Sequence, residues 1–264
     1  MNARKTRNDP APRDGSLPTR LRAWLPEPPR DAAPLDQRTT IVFLITIVLL
    51  VVFQYFGKPE SYRTFASSLQ PLADAVFGSR AGLAPFAHWG IASLVLRVLI
   101  PCAIILFVFR EPLSNYGWRW RGTLRHAPLY VALYLLMVPL IFWASTQGSF
   151  QQKYPFYKGA AEGGASFWLY EMFYGVQFLG VEFFFRGFLT FALFRRFGYN
   201  ALLIMAIPYV MVHFNKPLPE TFGALGAALI LGALALRAGS CIPGVFLHWA
   251  VGITMDLLAI NKQA

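Results

Sequence analysis

The stretch "TIVFLITIVLLVVFQYFG" (residues 40–57) carries no charged side chain. A hydrocarbon core of about 30 Å is crossed by about 20 mainly apolar helical residues, so the run reads as a transmembrane helix. Six further apolar runs follow, at approximately 89–109, 127–145, 167–194, 199–213, 222–236 and 241–260. The fifth and sixth are short, which suits a partial or tilted span. The pattern predicts an all-α fold, a polytopic transmembrane helix bundle of about seven spans around a membrane-embedded polar cavity. Composition agrees: 56% of residues are hydrophobic and 14% charged, against about 25% charged for a soluble domain.

Two regions are expected. Residues 1–38, rich in Pro, Arg and Asp and without a sustained apolar face, read as a disordered basic cytosolic tail; residues 39–264 form the transmembrane helical domain. The tail is not a signal peptide, because the first apolar run starts near Ile41, is long enough to stay as an anchor, and lacks a small-residue cleavage site after it. Its arginines suit contact with anionic lipid, and a topogenic leader is the simpler reading.

The net charge of +11 raises the question of nucleic acid, but placement argues against that partner. Basic residues gather in the tail, in "REPLSNYGWRWRGTLRH" (110–126), at Arg195 and Arg196, and at Arg237. These are alternate loops of a seven-span chain. The positive-inside rule then puts the N-terminus in the cytosol, as in a multi-pass protein of a bacterial inner membrane, and "WRWR" reads as an interfacial belt. Membrane lipids are the expected surroundings; oligomeric state is open. Cys102 and Cys241 lie in or beside apolar runs with no CxxC or Cys/His spacing, so neither a disulfide framework nor a cysteine zinc site is indicated.

Against this apolar background the polar residues stand out. "GVEFFFRGFL" (180–189) places Glu182 and Arg186 four positions apart, about 40° apart and one turn removed on one helix face. A single ionisable side chain at the bilayer centre costs about 2.5 to 3.5 kcal/mol on insertion scales. Glu171 returns to within about 20° of the same face, about 16 Å away along the axis. The fifth run ends in His213, and the seventh carries His248 with Asp256 two turns later. Each alone suits a structural role; three helices supplying a glutamate and two histidines suggest a site. A carboxylate and an imidazole sharing a water can deliver hydroxide to a peptide carbonyl while a second imidazole stabilises the oxyanion. This assigns Glu182 as base, Arg186 as its orienting partner, His213 as second water ligand or proton shuttle, and His248 as oxyanion donor. Counting at 1.5 Å per residue puts Glu182 near the inner end of its run and His213 near the outer end. Their meeting requires an interfacial segment at 167–174 or a fifth helix starting within the membrane.

At these residues the chain resembles the CPBP intramembrane proteases, also called type II CAAX prenyl endopeptidases or the Abi family. The family motifs E-E-x-x-x-R, F-x-x-x-H and H-x-x-x-N/D are matched in order by "VEFFFR" (181–186), "YVMVH" (209–213) and "HWAVG" (248–252), within about residues 90–260. The resemblance implies a helical bundle that cleaves membrane-bound peptide or protein substrates with a glutamate-activated water. Three positions depart from the pattern. Val181 replaces the first glutamate, commonly taken as the general base; Tyr209 replaces Phe; Gly252 replaces the Asn or Asp that helps His248, a role open to Asn215 or Asp256. No cofactor is expected: two histidines and a glutamate are a zinc-capable donor set, but HExxH and an obvious third ligand are missing. Two functions stay open, an intramembrane endopeptidase and a catalytically inactive member serving as membrane scaffold or regulator.

Overall fold

The computed structural model describes residues 36–263, so the expected tail lies almost wholly outside the described residues. Among the described residues the regular elements are all helical. Six helices are long and apolar enough to cross a membrane: α1 (Gln37–Phe56), α2 (Ser68–Val108), α3 (Leu124–Ala144), α5 (Gly164–Phe197), α7 (Leu218–Ala238) and α8, whose crossing part is Ile242–Lys262. Between α3 and α5 lies the short α4 (Gly148–Lys153), and between α5 and α7 the 12-residue apolar α6 (Asn200–Met211). Seven apolar helices thus follow the order of the seven sequence runs.

Two helices outrun their apolar stretches. The second begins at Ser68 rather than near 89 and is kinked at Gly78–Leu83, where Arg80 leaves helical geometry (φ −100, ψ 24). The fourth run continues to Phe197, giving a 34-residue helix about 51 Å long. Hydropathy marks the part of a helix that meets lipid, whereas backbone hydrogen bonding continues into the interfaces.

The long α5 is also the centre of the bundle. Of its most apolar window 83% is buried, against 11% for α3, 22% for α1 and 33% for α2, α7 and α8. Polar residues on α5 are therefore enclosed by protein instead of lipid, the condition under which a bundle tolerates them. One face of α5 meets α2, where Ser93 donates to the Gln177 carbonyl (3.2 Å), and α8 packs against the same stretch of α5. The peripheral α3 buries only Tyr130 and Ile141 and is tied to α8 by a Tyr134–Thr254 hydroxyl pair at 2.7 Å.

One end of the bundle is locked by charge. Asp36 caps α1 through the Arg38 and Thr39 amides (3.3 and 3.0 Å). Glu111 accepts from Arg38 (2.7 Å) and from both terminal nitrogens of Arg195 (2.7 and 2.8 Å), joining α1, the loop after α2 and the end of α5. The Arg38 bond, with Arg195 adding to it against the opposing effect of burial, holds the Glu111 carboxyl at about 2 rather than its ordinary 4.5. A depressed carboxyl pKa contributes stability above the unfolded value and loses it as pH falls through the folded one. Wild type should therefore lose this contribution between about pH 4.5 and 2. Glu111→Gln should be about 1 to 2 kcal/mol less stable at pH 7 and show a flatter dependence in that window. Thermal unfolding in detergent at several pH values checks this; parallel profiles for the two proteins would refute it.

Candidate active site

Glu182 lies midway along α5, where the helix widens into π-helical turns over Phe183–Leu189. Such turns recur at functional sites because they re-aim side chains within a continuous helix. Glu182 and Arg186 are both 0% exposed. Glu182 Oε1 is 3.1 Å from Arg186 Nη1 and 2.9 Å from His248 Nδ1. The arginine contact is ionic rather than directional, since none of the three guanidinium nitrogens is aligned for a hydrogen bond. The guanidinium instead covers the Tyr209 ring, 3.7 Å from its centroid.

The contact with His248 fixes a tautomer. An ionised carboxylate only accepts, so Nδ1 carries the hydrogen and Nε2 of the neutral ring keeps its lone pair. The imidazole is stacked on Phe178, with centroids 4.3 Å apart, and its side chain is 20% exposed against 1% for Glu182. The more accessible partner is thus the imidazole.

The start of α8 is held where this contact needs it. Ser240 Oγ donates to the Arg119 carbonyl (2.6 Å) and the Cys241 amide to the Gly117 carbonyl (3.0 Å). The first turn of α8 then abuts Glu182: a Cβ built on Gly244 would lie 2.7 Å from Oε2. Only glycine lets the helix N-terminus, the positive end of its dipole, approach the carboxylate so closely.

His213 reaches the same region by chain reversal. The long α5 ends at Gly198, whose φ of +53 turns the chain into α6. Glu182 precedes Phe197 by 15 residues and His213 follows Asn200 by 13, which places them about 22 and 20 Å from the reversal. The two therefore stand at comparable distances from the reversal along their helices. Tyr209 lies between His213 and Arg186, its ring 4.7 Å from that of His213 and beneath the guanidinium. His213 Nδ1 donates to the Tyr209 carbonyl (2.8 Å), so its Nε2 also keeps a lone pair.

The supporting candidates lie elsewhere. Asn215 is exposed on the turn after α6 and lines a surface cavity with Lys153 and Lys216. Asp256 is fully buried on α8, with Glu171 and Tyr170 as its electrostatic neighbours. Glu171, one α5 segment away from Glu182, accepts from Trp249 Nε1 (3.3 Å). Neighbouring residues on α8 thus contact two different glutamates on α5: His248 meets Glu182 and Trp249 meets Glu171. Among the described residues no three His, Cys, Asp or Glu side chains gather as a metal site requires.

Two of the three divergent motif positions, 181 and 252, are filled by apolar groups. Val181 is 5% exposed within the main core that includes Val98, Phe185 and Met205. A Cβ at Gly252 would lie 2.8 Å from Phe178 Cε2 and 3.2 Å from Tyr174 Cε1, so these rings occupy the room of the family's Asn or Asp. Sequence reasoning missed Arg97, 3% exposed on α2 with its guanidinium 3.5 Å from the Phe53 ring centroid. A charge inside an apolar run was the available signal. It also missed Phe178 and Gly244, for which no local signal exists.

A multi-pass membrane bundle with a buried carboxylate–imidazole pair between two of its helices is the class defined here. Residues 163–254 match the family model described as type II CAAX prenyl endopeptidase Rce1-like, a match that supports membership of the CPBP family. All three motif segments fall inside the matched residues. No curated protein and no solved structure matches the chain.

Proposed function

We propose that this protein is an intramembrane endopeptidase that hydrolyses peptide bonds of membrane-associated substrates, with water activated by the Glu182–His248 pair. The observation that carries the reading is the 2.9 Å contact between Glu182 Oε1 and His248 Nδ1, made inside the Rce1-like segment. Glu182 holds the ring by its Nδ1–H and stabilises the imidazolium that forms when Nε2 takes a proton from water. The resulting hydroxide attacks the peptide carbonyl, and the proton passes to the departing amine. Arg186, 3.1 Å from the carboxylate, holds it in place. His213, with its own free Nε2, serves as proton shuttle. In this arrangement His248 is the base and Glu182 its positioning partner, whereas the sequence reading makes Glu182 the base and His248 the oxyanion donor. Basic alternate loops support a cytosolic N-terminus in a bacterial inner membrane.

A second reading has its own observations. Val181 packed in the core and the rings filling the space at Gly252 favour a member that has lost catalysis and binds a membrane partner as scaffold or regulator. Comparing protein termini by mass spectrometry in cells lacking the protein, complemented with wild type or His248→Gln, separates the two. Termini that appear only with wild type support the endopeptidase and identify its substrate. Identical termini with both alleles, together with equal rescue of any phenotype, assign the protein to the scaffold class.

A further inference from the structure

Two cavities at the end of the bundle opposite Arg195 share one side chain. The first, about 320 Å³, is lined by Ser149, Gln152, Lys153, Asn215, Lys216 and Pro217. The second, about 430 Å³, is lined by Val210, Phe214, Leu218, Phe222 and Leu225 together with Lys216 and Thr221. The first offers ammonium, amide and hydroxyl groups and no carboxylate. The second is an apolar groove along α6 and α7, where Phe214, Leu218 and Phe222 are 63, 69 and 71% exposed.

Charge distinguishes this end from an ordinary lipid-facing surface. Lys153 and Lys216 both place Nζ over the Phe156 ring, 5.6 and 4.7 Å from its centroid. Lys216 is also tied to Glu220 (2.8 Å) and to the buried Tyr154 hydroxyl (2.6 Å), which fixes its position and offsets part of its charge. Among the described residues Lys153 has no carboxylate at ion-pair distance, so a net positive charge faces the cavity.

We propose that the joined cavities bind one anionic phospholipid, its phosphate in the Lys153–Lys216 cavity and an acyl chain in the Phe214–Phe222 groove. Neither cavity alone explains the pairing. A polar pocket and an apolar groove that share Lys216 in their linings fit a ligand that is charged at one end and aliphatic along the other. Charge complementarity selects an anionic headgroup over a zwitterionic one, because choline would bring a second cation against Lys153.

The test uses the full chain in neutral detergent and reads thermal unfolding and native mass spectrometry during lipid titration. Phosphatidylglycerol should bind saturably and raise the midpoint, whereas phosphatidylcholine with the same chains should not. Lys153→Gln should weaken phosphatidylglycerol about tenfold, the loss of one charge-assisted contact, and Lys153→Arg should retain it. Phe222→Ser should weaken the lipid and leave the response to inorganic phosphate unchanged. The proposal is overturned if Lys153→Gln binds like wild type, if phosphatidylcholine binds equally, or if inorganic phosphate alone stabilises as much as the lipid. It is likewise overturned if an apolar peptide with a free C-terminal carboxylate binds in a Lys153-dependent way and the lipid does not. His248→Gln should bind the lipid as wild type does, so this outcome is independent of proteolysis.

Discussion

Glu182→Gln is expected to destabilise the protein by about 3 to 5 kcal/mol, the cost of leaving a buried charge without its partner. Arg186 is 0% exposed, and none of its nitrogens has an aligned hydrogen bond. Its compensation comes from the Glu182 carboxylate at 3.1 Å and the Tyr209 ring at 3.7 Å. A ring supplies about 2 kcal/mol or somewhat more to a desolvated cation and carries no net negative charge, so it does not replace the carboxylate. The double variant Glu182→Gln/Arg186→Met removes both charges at similar volume and should recover most of the loss. Unfolding by denaturant titration in mixed micelles measures both. Equal losses in the single and double variants would sink the pair account and point instead to the His248 contact as the source of stability. A stable double variant that yields no new termini would separate the carboxylate's chemical role from its structural one.

Much of this arrangement was legible in the sequence, for reasons that differ by residue. The spans follow from the length of uncharged runs, because no other local feature sustains a helix across lipid. The Glu182–Arg186 pair follows from the four-residue spacing of a helix. His248 and His213 stand out by type in runs such as "GVFLHWAVG". What spacing does not carry is which side chain meets which. The contact of His248 with Glu182 depends on how the loop at Gly117 and Arg119 seats the start of α8. The position of Tyr209 between His213 and Arg186 depends on the reversal at Gly198. Even the expectation that Glu182 and His213 lie at opposite depths arose from treating each run as exactly one membrane thickness. A 34-residue α5 beside a 12-residue α6 puts the two at comparable distances from the reversal.

The second large effect is expected at the motif position where glycine stands. Gly252 lies one turn beyond His248 on α8, so an Asn amide there would share the imidazole's face. The room for it is taken. With Phe178 Cε2 2.8 Å and Tyr174 Cε1 3.2 Å from a built Cβ, Gly252→Asn alone should overpack the α5–α8 contact and cost about 1 to 3 kcal/mol. Phe178→Ala alone removes the ring stacked on His248 at 4.3 Å and should cost about 3 to 5 kcal/mol. Combined, each change occupies or vacates what the other needs, so the double variant should be more stable than the two losses added together predict. The introduced amide would donate to the oxyanion that forms as hydroxide adds to the peptide carbonyl. Donors of this kind are worth about 10²- to 10³-fold in turnover, read as the cleavage rate of the substrate that the terminus comparison identifies. A folded double variant with unchanged turnover would show that position 252 does not limit the reaction. The deficit would then rest with Val181, whose place in the apolar core allows no carboxylate without a rearranged α5.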